Sequence, residues 1–276
     1  QRQMCIRDRL LASTLLQASD IYVKPGESIA DAIRQARELR RLNDPSIEGG
    51  ITIHVAAGNY RIYEPLFLRP EDSGTPSSPT IIKGEGEVIV SGGVTVTGWK
   101  RQGKLMVADV PDFCGRPLDF RQFYVNGKKA VRARDVADFE DMYRIIRVDK
   151  QKRVLWVPAA AVRKIQKAPY AEMVLHEMWC VANLRIKDIM FAGDSAAVSF
   201  HDPESRIQFE HPWPCPMVTT DGHNSAFYLT NARELLDVPG EWYHDIRAGK
   251  LYYYPRQGEL IEEAVVPAVE TLLRVE

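Results

Sequence analysis

The sequence predicts a mostly β chain, and three observations support this. Short apolar stretches recur along roughly the first hundred residues, and glycine, proline or polar residues end each of them. No connecting helix separates one stretch from the next. Farther along, strand-like stretches flank short turns. Such strands suit either a β-sandwich or a parallel β-helix. The recurring stretches are residues 51–55, 60–62, 66–68, 80–82 and 88–90.

One helix is predicted ahead of these strands. Ser28 and Asp31 form a variant of the capping box, in which side chains satisfy backbone N–H groups of the first turn. Ile29 and Ile33 follow at helical spacing. The helix is expected to end before Pro45, because the residue before a proline disfavours helical geometry. In a β-helix, a helix at this place would cover the open end of the stacked strands.

Hairpins are predicted after Trp99. Asn126 and Gly127 lie between two strand-like stretches, and Asn-Gly is the strongest short hairpin signal. Two further pairs of stretches flank polar turns. Hairpins build antiparallel sheet, so this part of the chain is expected to be antiparallel. The further pairs are residues 145–148 with 154–157, and residues 241–245 with 250–254.

Composition excludes several classes of protein. The chain has 276 residues, of which 45% are hydrophobic and 26% charged, as in an ordinary globular protein. Its 36 Lys and Arg against 37 Asp and Glu give a net charge of −1, so no positive excess exists to neutralise nucleic acid phosphates. No run of about 18 apolar residues predicts a membrane span.

The first 18 residues are interpreted as processing or cloning sequence. Residues 1–9 match the translated end of a DNA sequencing adapter, and the alternative is the basic region of a signal peptide. Residues 10–18 are apolar and end on small residues, as the remnant of a signal peptide would, although they could also form a helical turn. The expected location is therefore secreted or periplasmic, in a bacterium.

Three stretches carry a resemblance to a known family. They are residues 69–75 with 91–93 and 98–99, residues 124–134, and residues 236–243 with 251–255. In order and spacing they are similar to the N-terminal part of glycoside hydrolase family 141, with family 120 a near relative. The likeness covers residues 21–276, and its motifs are more specific to an architecture than to one substrate.

The resemblance implies a right-handed parallel β-helix of the pectin-lyase type that carries an antiparallel β insert and is truncated at its C-terminus. On this expectation residues 19–98 form the cap helix and first β-helix rungs, and residues 99–258 form the insert. Residues 259–276 then return to the β-helix.

The implied function is that of an N-terminal fragment of a secreted glycoside hydrolase acting on plant or algal polysaccharide, with fucosidase-like or xylanase-like activity. Its catalytic acids are expected downstream of Glu276, the fragment itself is expected to be inactive, and no cofactor is expected. Two alternatives remain. One is a polysaccharide lyase, which needs a Ca²⁺ site and a basic residue. The other is a non-catalytic carbohydrate-binding protein or adhesin.

Glu177 is the candidate catalytic acid within the chain. A glycosidase needs two carboxyl groups about 5 to 9.5 Å apart, one of them with a raised pKa. Glu177 lies between apolar residues and near Trp179, where partial desolvation would raise its pKa. The alternative is an ordinary strand residue that makes hydrogen bonds within the sheet.

Three further residues are candidates for substrate binding: Trp213, Trp179 and His176. Three prolines around Trp213 stiffen its loop, and a ring held outward in this way would suit stacking on a sugar. The alternative is a ring that closes the edge of a core. No metal site is predicted, because the scattered residues His201, Asp202, His211 and His223 and the cysteines lack metal-ligand spacing.

Overall fold

The structure, a computed structural model, describes residues 18–276. The segment predicted to be adapter-derived, residues 1–9, lies outside this range. The predicted signal-peptide remnant, residues 10–18, also lies outside it except for Ala18.

The described chain is mostly β. It contains three α-helices: α1 (Ile29–Arg41), α2 (Ala159–Val162) and α3 (Glu204–Glu210). Its strands, numbered in chain order, are β1 (Ser19–Val23), β2 (Ile51–Arg61), β3 (Leu66–Leu68), β4 (Thr80–Ser91), β5 (Gly93–Thr95), β6 (Lys100–Gln102), β7 (Leu105–Asp109), β8 (Asp112–Phe113), β9 (Arg116–Pro117), β10 (Tyr124–Val125), β11 (Lys128–Lys129), β12 (Val131–Arg132), β13 (Tyr143–Arg144), β14 (Arg147–Asp149), β15 (Val154–Pro158), β16 (Glu172–Glu177), β17 (Cys180–Ala192), β18 (Ser195–Phe200), β19 (Ala226–Thr230), β20 (Glu241–Asp245), β21 (Lys250–Tyr253), β22 (Ala264–Pro267) and β23 (Leu273–Val275).

The chain divides into two compact units. The first unit consists of the residues up to Gly93 together with Ala268–Glu276. Its parallel strands β1, β2 and β4 form a three-stranded sheet, and β3 pairs in parallel with β23. The inward residues of β1 and β2 alternate with outward ones, and α1 covers the inward side with Ile29 and Ile33.

The predicted helix is confirmed. Ser28 has extended backbone geometry, and its hydroxyl accepts a hydrogen bond from the backbone N–H of Asp31 at 3.1 Å. Asp31 lies in the first turn, and Arg40 and Arg41 lie in the last turn, which matches the direction of the helix dipole.

The second unit, Val94–Pro267, contains the larger core. Its seven-stranded sheet has the order β13-β19-β16-β17-β18-β15-β14, and its five-stranded sheet has the order β12-β20-β21-β7-β6. Inward residues of both sheets meet in one hydrophobic cluster, to which α2 contributes Val162 and α3 contributes Phe209. Strands β11, β10, β22 and β5 form a further sheet.

The predicted right-handed parallel β-helix is wrong. Strand pairs in the described residues are mostly antiparallel, and the four largest pairings of the seven-stranded sheet all are.

Glycine is the physical reason for part of this error. Gly58, Gly84 and Gly86 were expected to break the chain into short rungs. Instead, β2 extends over 11 residues and β4 over 12, with these glycines inside the strands. Between Ala56 and Gly58 the pairing shifts from Glu85 to Val88, so β4 has one extra residue, and Gly86, with φ of 95°, permits this β-bulge within a continuous strand.

The predicted hairpins are confirmed. β10 and β11 pair across Asn126 and Gly127, which have φ of 50° and 72° as a type I′ turn requires. β14 pairs with β15, and β20 pairs with β21.

Membrane-spanning helices are not found in the described part of the chain, where no helix has both the length and the apolar character to cross a bilayer.

We expect Ser28→Ala to lower the free energy of unfolding of the first unit by about 1 kcal/mol, because the substitution leaves the N–H of Asp31 without its cap. Urea denaturation of the full chain measures the change. Ser28→Asp keeps a capping oxygen and serves as the control. Equal losses in the two variants would contradict this role of the hydroxyl.

Candidate functional site

The candidate site lies on the outer face of the seven-stranded sheet, at its β13 edge. Alternation along β16 turns Met173 and Leu175 into the core and leaves Glu172, Val174 and His176 on the other face. Antiparallel pairing places His176 opposite Ala226 of β19. The sheet register therefore fixes which side chains surround His176.

Aromatic and arginine side chains gather around His176. Its ring lies 5.5 Å from the ring of Phe139 and 6.0 Å from that of Tyr228, measured between centroids. The guanidinium of Arg144 lies over Phe139 at 4.7 Å, and that of Arg134 lies over Tyr228 at 6.0 Å. We call these five residues the arginine–aromatic face.

The two arginines lie along the same side of β19. Arg144 pairs with Ala226 at one end of the strand, and Arg134 forms an isolated bridge with Thr230 at the other. Tyr228 lies midway between these two positions. By the strand rise, the Cα atoms of the two arginines are about 13 Å apart. Phe139 is 45% exposed, so the face is open to solvent at the Arg144 end.

His176 is held in its neutral form. Burial lowers its pKa, and the positive charge of Arg144 lowers it further. Its Nε2 is buried without a hydrogen-bond partner in the described part of the chain. The imidazole therefore acts as a ring surface at neutral pH rather than as a cation.

Glu172 forms a charge network at the other end of β16. Its carboxylate accepts hydrogen bonds from two nitrogens of Arg132, at 2.9 and 3.2 Å. Arg121 approaches the same carboxylate at 2.8 Å. The Glu172 side chain is 6% exposed and that of Arg132 is 12% exposed. Glu172 and Arg132 thus form a bidentate ion pair that is almost fully removed from solvent, so loss of either charge would leave the other buried without a partner.

Glu177 lies on the opposite face from His176. Its Oε2 accepts a hydrogen bond from the Cys180 thiol at 3.1 Å, and its Oε1 accepts one from the side-chain amide of Gln208 on α3. Burial raises the pKa of Glu177, and the two hydrogen bonds oppose that rise. Burial and the neighbouring carboxylate raise the pKa of Cys180 to about 11.

The two tryptophans lie in exposed turns. Trp179 forms the tip of the β16–β17 hairpin with Met178, has φ of 75° and is 85% exposed. Trp213 follows α3 and is exposed, and its backbone N–H donates to Nδ1 of His211 at 3.3 Å.

The structure thus separates the predicted site residues. His176 joins the arginine–aromatic face, Glu177 faces the core side, and Trp179 lies in the turn that follows them. No group of three or more His, Cys, Asp or Glu side chains within residues 18–276 has the arrangement of a metal site.

Sequence reasoning missed most of the arginine–aromatic face. Phe139, Arg134 and Arg144 lie in short, irregular segments without a periodic pattern. One signal was available, because the period-two alternation of β16 already separates His176 and Glu172 from Glu177.

Loss of the Glu172 carboxylate should destabilise the second unit. We expect Glu172→Gln to lower the free energy of unfolding by about 3 kcal/mol, because it leaves Arg132 buried without a counter-charge. Arg121→Gln removes a partner whose side chain is 51% exposed, and should cost less than about 1 kcal/mol. Chemical denaturation compares the two, and equal losses would contradict the buried pair.

The raised pKa of Glu177 predicts a pH-dependent stability difference. A carboxyl whose pKa is higher in the folded state stabilises the fold below its ordinary pKa of 4.5, and this stabilisation is lost as pH rises through the folded-state value. Glu177→Gln removes the titration. The stability of this variant relative to the parent chain should therefore increase from pH 4 to pH 8, measured by urea unfolding. A constant difference would contradict the raised pKa.

Comparisons with known proteins show which family and which solved structure this chain is similar to. Residues 103–256 match the family model described as the GH141 insertion domain, and this range includes the whole arginine–aromatic face. A solved structure named "Glycoside hydrolase" is 59% identical, with a TM-score of 0.89 over 94% of this chain and 48% of that chain. The chain thus spans about half the length of that relative. No curated protein matches. The family model matches more than half of the chain and confirms the resemblance to family 141. The chain therefore belongs to the GH141 insertion domain family.

Proposed function

We propose that this chain is part of a glycoside hydrolase and that its insertion domain holds the carbohydrate on the arginine–aromatic face. The observation that carries the proposal is the cluster of three rings, Phe139, His176 and Tyr228, on a solvent-facing sheet surface within the matched domain. The 59% identity to a structure named as a glycoside hydrolase supports the reaction class.

Ring stacking is the contact that this surface would make. The C–H face of a sugar is apolar and buries well against an aromatic ring. Phe139 is exposed, and Tyr228 is partly exposed with a phenol hydroxyl that can donate or accept a hydrogen bond. Trp179, at the tip of the adjoining hairpin, adds a ring that is 85% exposed.

Glycoside hydrolysis needs two carboxyl groups beside the scissile bond. One protonates the leaving oxygen, and the other acts as a nucleophile or activates water. Both oxygens of Glu177 accept hydrogen bonds from Cys180 and Gln208, and both oxygens of Glu172 bind arginine. We therefore propose that the catalytic pair is supplied by the part of the enzyme that corresponds to the unmatched half of the relative.

The substrate class and the cellular location are proposed from the resemblance to family 141 and from the sequence. We propose a plant or algal polysaccharide as the substrate, cleaved by a fucosidase-like or xylanase-like activity. The apolar residues 10–18 support a secreted or periplasmic location.

Reducing-sugar release tests the proposal. The 276-residue chain alone should release none from xylan or fucosylated oligosaccharides. A chimera that joins it to the unmatched half of the 59% identical glycoside hydrolase should hydrolyse one of them. In the chimera, Tyr228→Ala should raise KM about tenfold with little change in kcat, because it removes a binding contact.

Glu177→Gln in the chimera is the matched control and should retain activity. Turnover by the chain alone that is abolished by Glu177→Gln would overturn the placement of the catalytic pair. A chimera that folds but cleaves no glycoside would overturn the reaction class.

A further inference from the structure

We propose that the arginine–aromatic face binds an anionic sugar, through a carboxylate or sulfate group, and that Arg134 and Arg144 select it. This inference rests on the proposed function, which supplies the premise that the face holds carbohydrate.

Stacked guanidinium groups present their edges for binding. A guanidinium that lies over an aromatic ring is held in place by its face, while its N–H donors point outward in the plane. Arg144 over Phe139 donates one hydrogen bond, to the carbonyl of Asn224 at 3.3 Å. Arg134 lies over Tyr228, and its backbone N–H donates to Glu241. Within residues 18–276 the Arg144 guanidinium makes this one hydrogen bond and the Arg134 guanidinium makes none, so both retain donors that could bind an oxyanion.

Unneutralised charge distinguishes these two arginines from their neighbours. Arg121 and Arg132 share the carboxylate of Glu172, and Arg185 pairs with Glu204. Within residues 18–276, neither Arg134 nor Arg144 forms a salt bridge.

Four acidic residues close in sequence do not change this. Asp135 follows Arg134 directly, but its carboxylate accepts a hydrogen bond from a backbone N–H of β19 at 2.7 Å. Asp138, Glu140 and Asp141 are exposed at a 3₁₀ turn, and no salt bridge joins them to either arginine in the described chain. The lowered pKa of His176, caused in part by a nearby guanidinium, agrees with a positive potential on this face.

The spacing suits an oligosaccharide. Arg144 and Arg134 lie at opposite ends of β19, about 13 Å apart by strand rise, with Tyr228 between them. A chain of sugars could thus place a ring on Tyr228 and an anionic group at either end. A single small anion would contact one arginine only.

The cleft in the first unit is a weaker candidate for the same ligand. It has a volume of about 470 Å³ and includes Arg34, Arg37, Arg69 and Arg274. Three of these already pair with carboxylates, namely those of Asp31, Asp72 and Glu276.

Binding of defined oligosaccharides to the full chain tests the proposal. The probes are tetragalacturonate, its fully methyl-esterified neutral form, and a sulfated neutral oligosaccharide, measured by calorimetry at low and high salt. We expect tetragalacturonate to bind at least about tenfold more tightly than its ester, and less tightly as salt rises. Binding of the sulfated probe would extend the specificity to sulfate, and its absence would restrict it to carboxylate.

Arg134→Gln and Arg144→Gln should each weaken binding of the anionic probe about tenfold. Arg147→Gln is the matched control, because Arg147 also lies over a ring, that of Trp156 at 4.6 Å, at the opposite edge of the same sheet. It should leave binding unchanged.

Equal binding of the acid and its ester, binding of neither, or an equal loss in the Arg147 variant would overturn the inference. None of these outcomes bears on hydrolysis by the chimera. A chimera without activity, beside an intact preference for the acidic probe, would overturn only the proposed reaction.

Discussion

The pairing of β16 with β17 on one side and β19 on the other is the constraint on which the second unit depends. Every residue of this strand is paired with β17, so its alternation assigns Met173 and Leu175 to the core and Glu172 and His176 to the outer face. A shift by one residue would bury Glu172 in the apolar cluster and expose Leu175. The sheet register therefore determines both which side chains form the core and which form the candidate site.

Buried carboxylates position the segments that surround this face. Glu172 holds Arg132, whose guanidinium also lies 5.8 Å from the ring of Trp242 on β20. Glu241 of the same strand is buried, and it accepts hydrogen bonds from backbone N–H groups that include that of Arg134 at 3.4 Å. Burial raises the pKa of Glu241, and these backbone donors oppose the rise. These carboxylates thus hold the Arg132 guanidinium and the backbone of Arg134 in place.

Charge neutralisation separates structural arginines from those available to a ligand. Arg132 has little exposed surface and a carboxylate partner, so its charge is used within the fold. Arg144 is stacked on an exposed ring and bonds to a carbonyl only. Stacking keeps a guanidinium ordered before any ligand arrives, which lowers the entropic cost of binding. The second unit therefore contains both a charge-neutralised arginine inside the fold and a stacked arginine that forms no salt bridge within the described residues.

The sequence by itself determined the local features of this protein. The Ser28 cap, the Asn126–Gly127 turn and the alternation of β16 follow from interactions within a few residues, so their patterns were sufficient. The tertiary structure alone decided the sheet order and which side chains surround His176. Glycines that looked like breaks lie inside β2 and β4, because a paired neighbouring strand stabilises a bulge that an isolated segment would not keep. Phe139, His176 and Tyr228 meet only through pairing between segments that are far apart in the sequence, and no local pattern records such distant contacts.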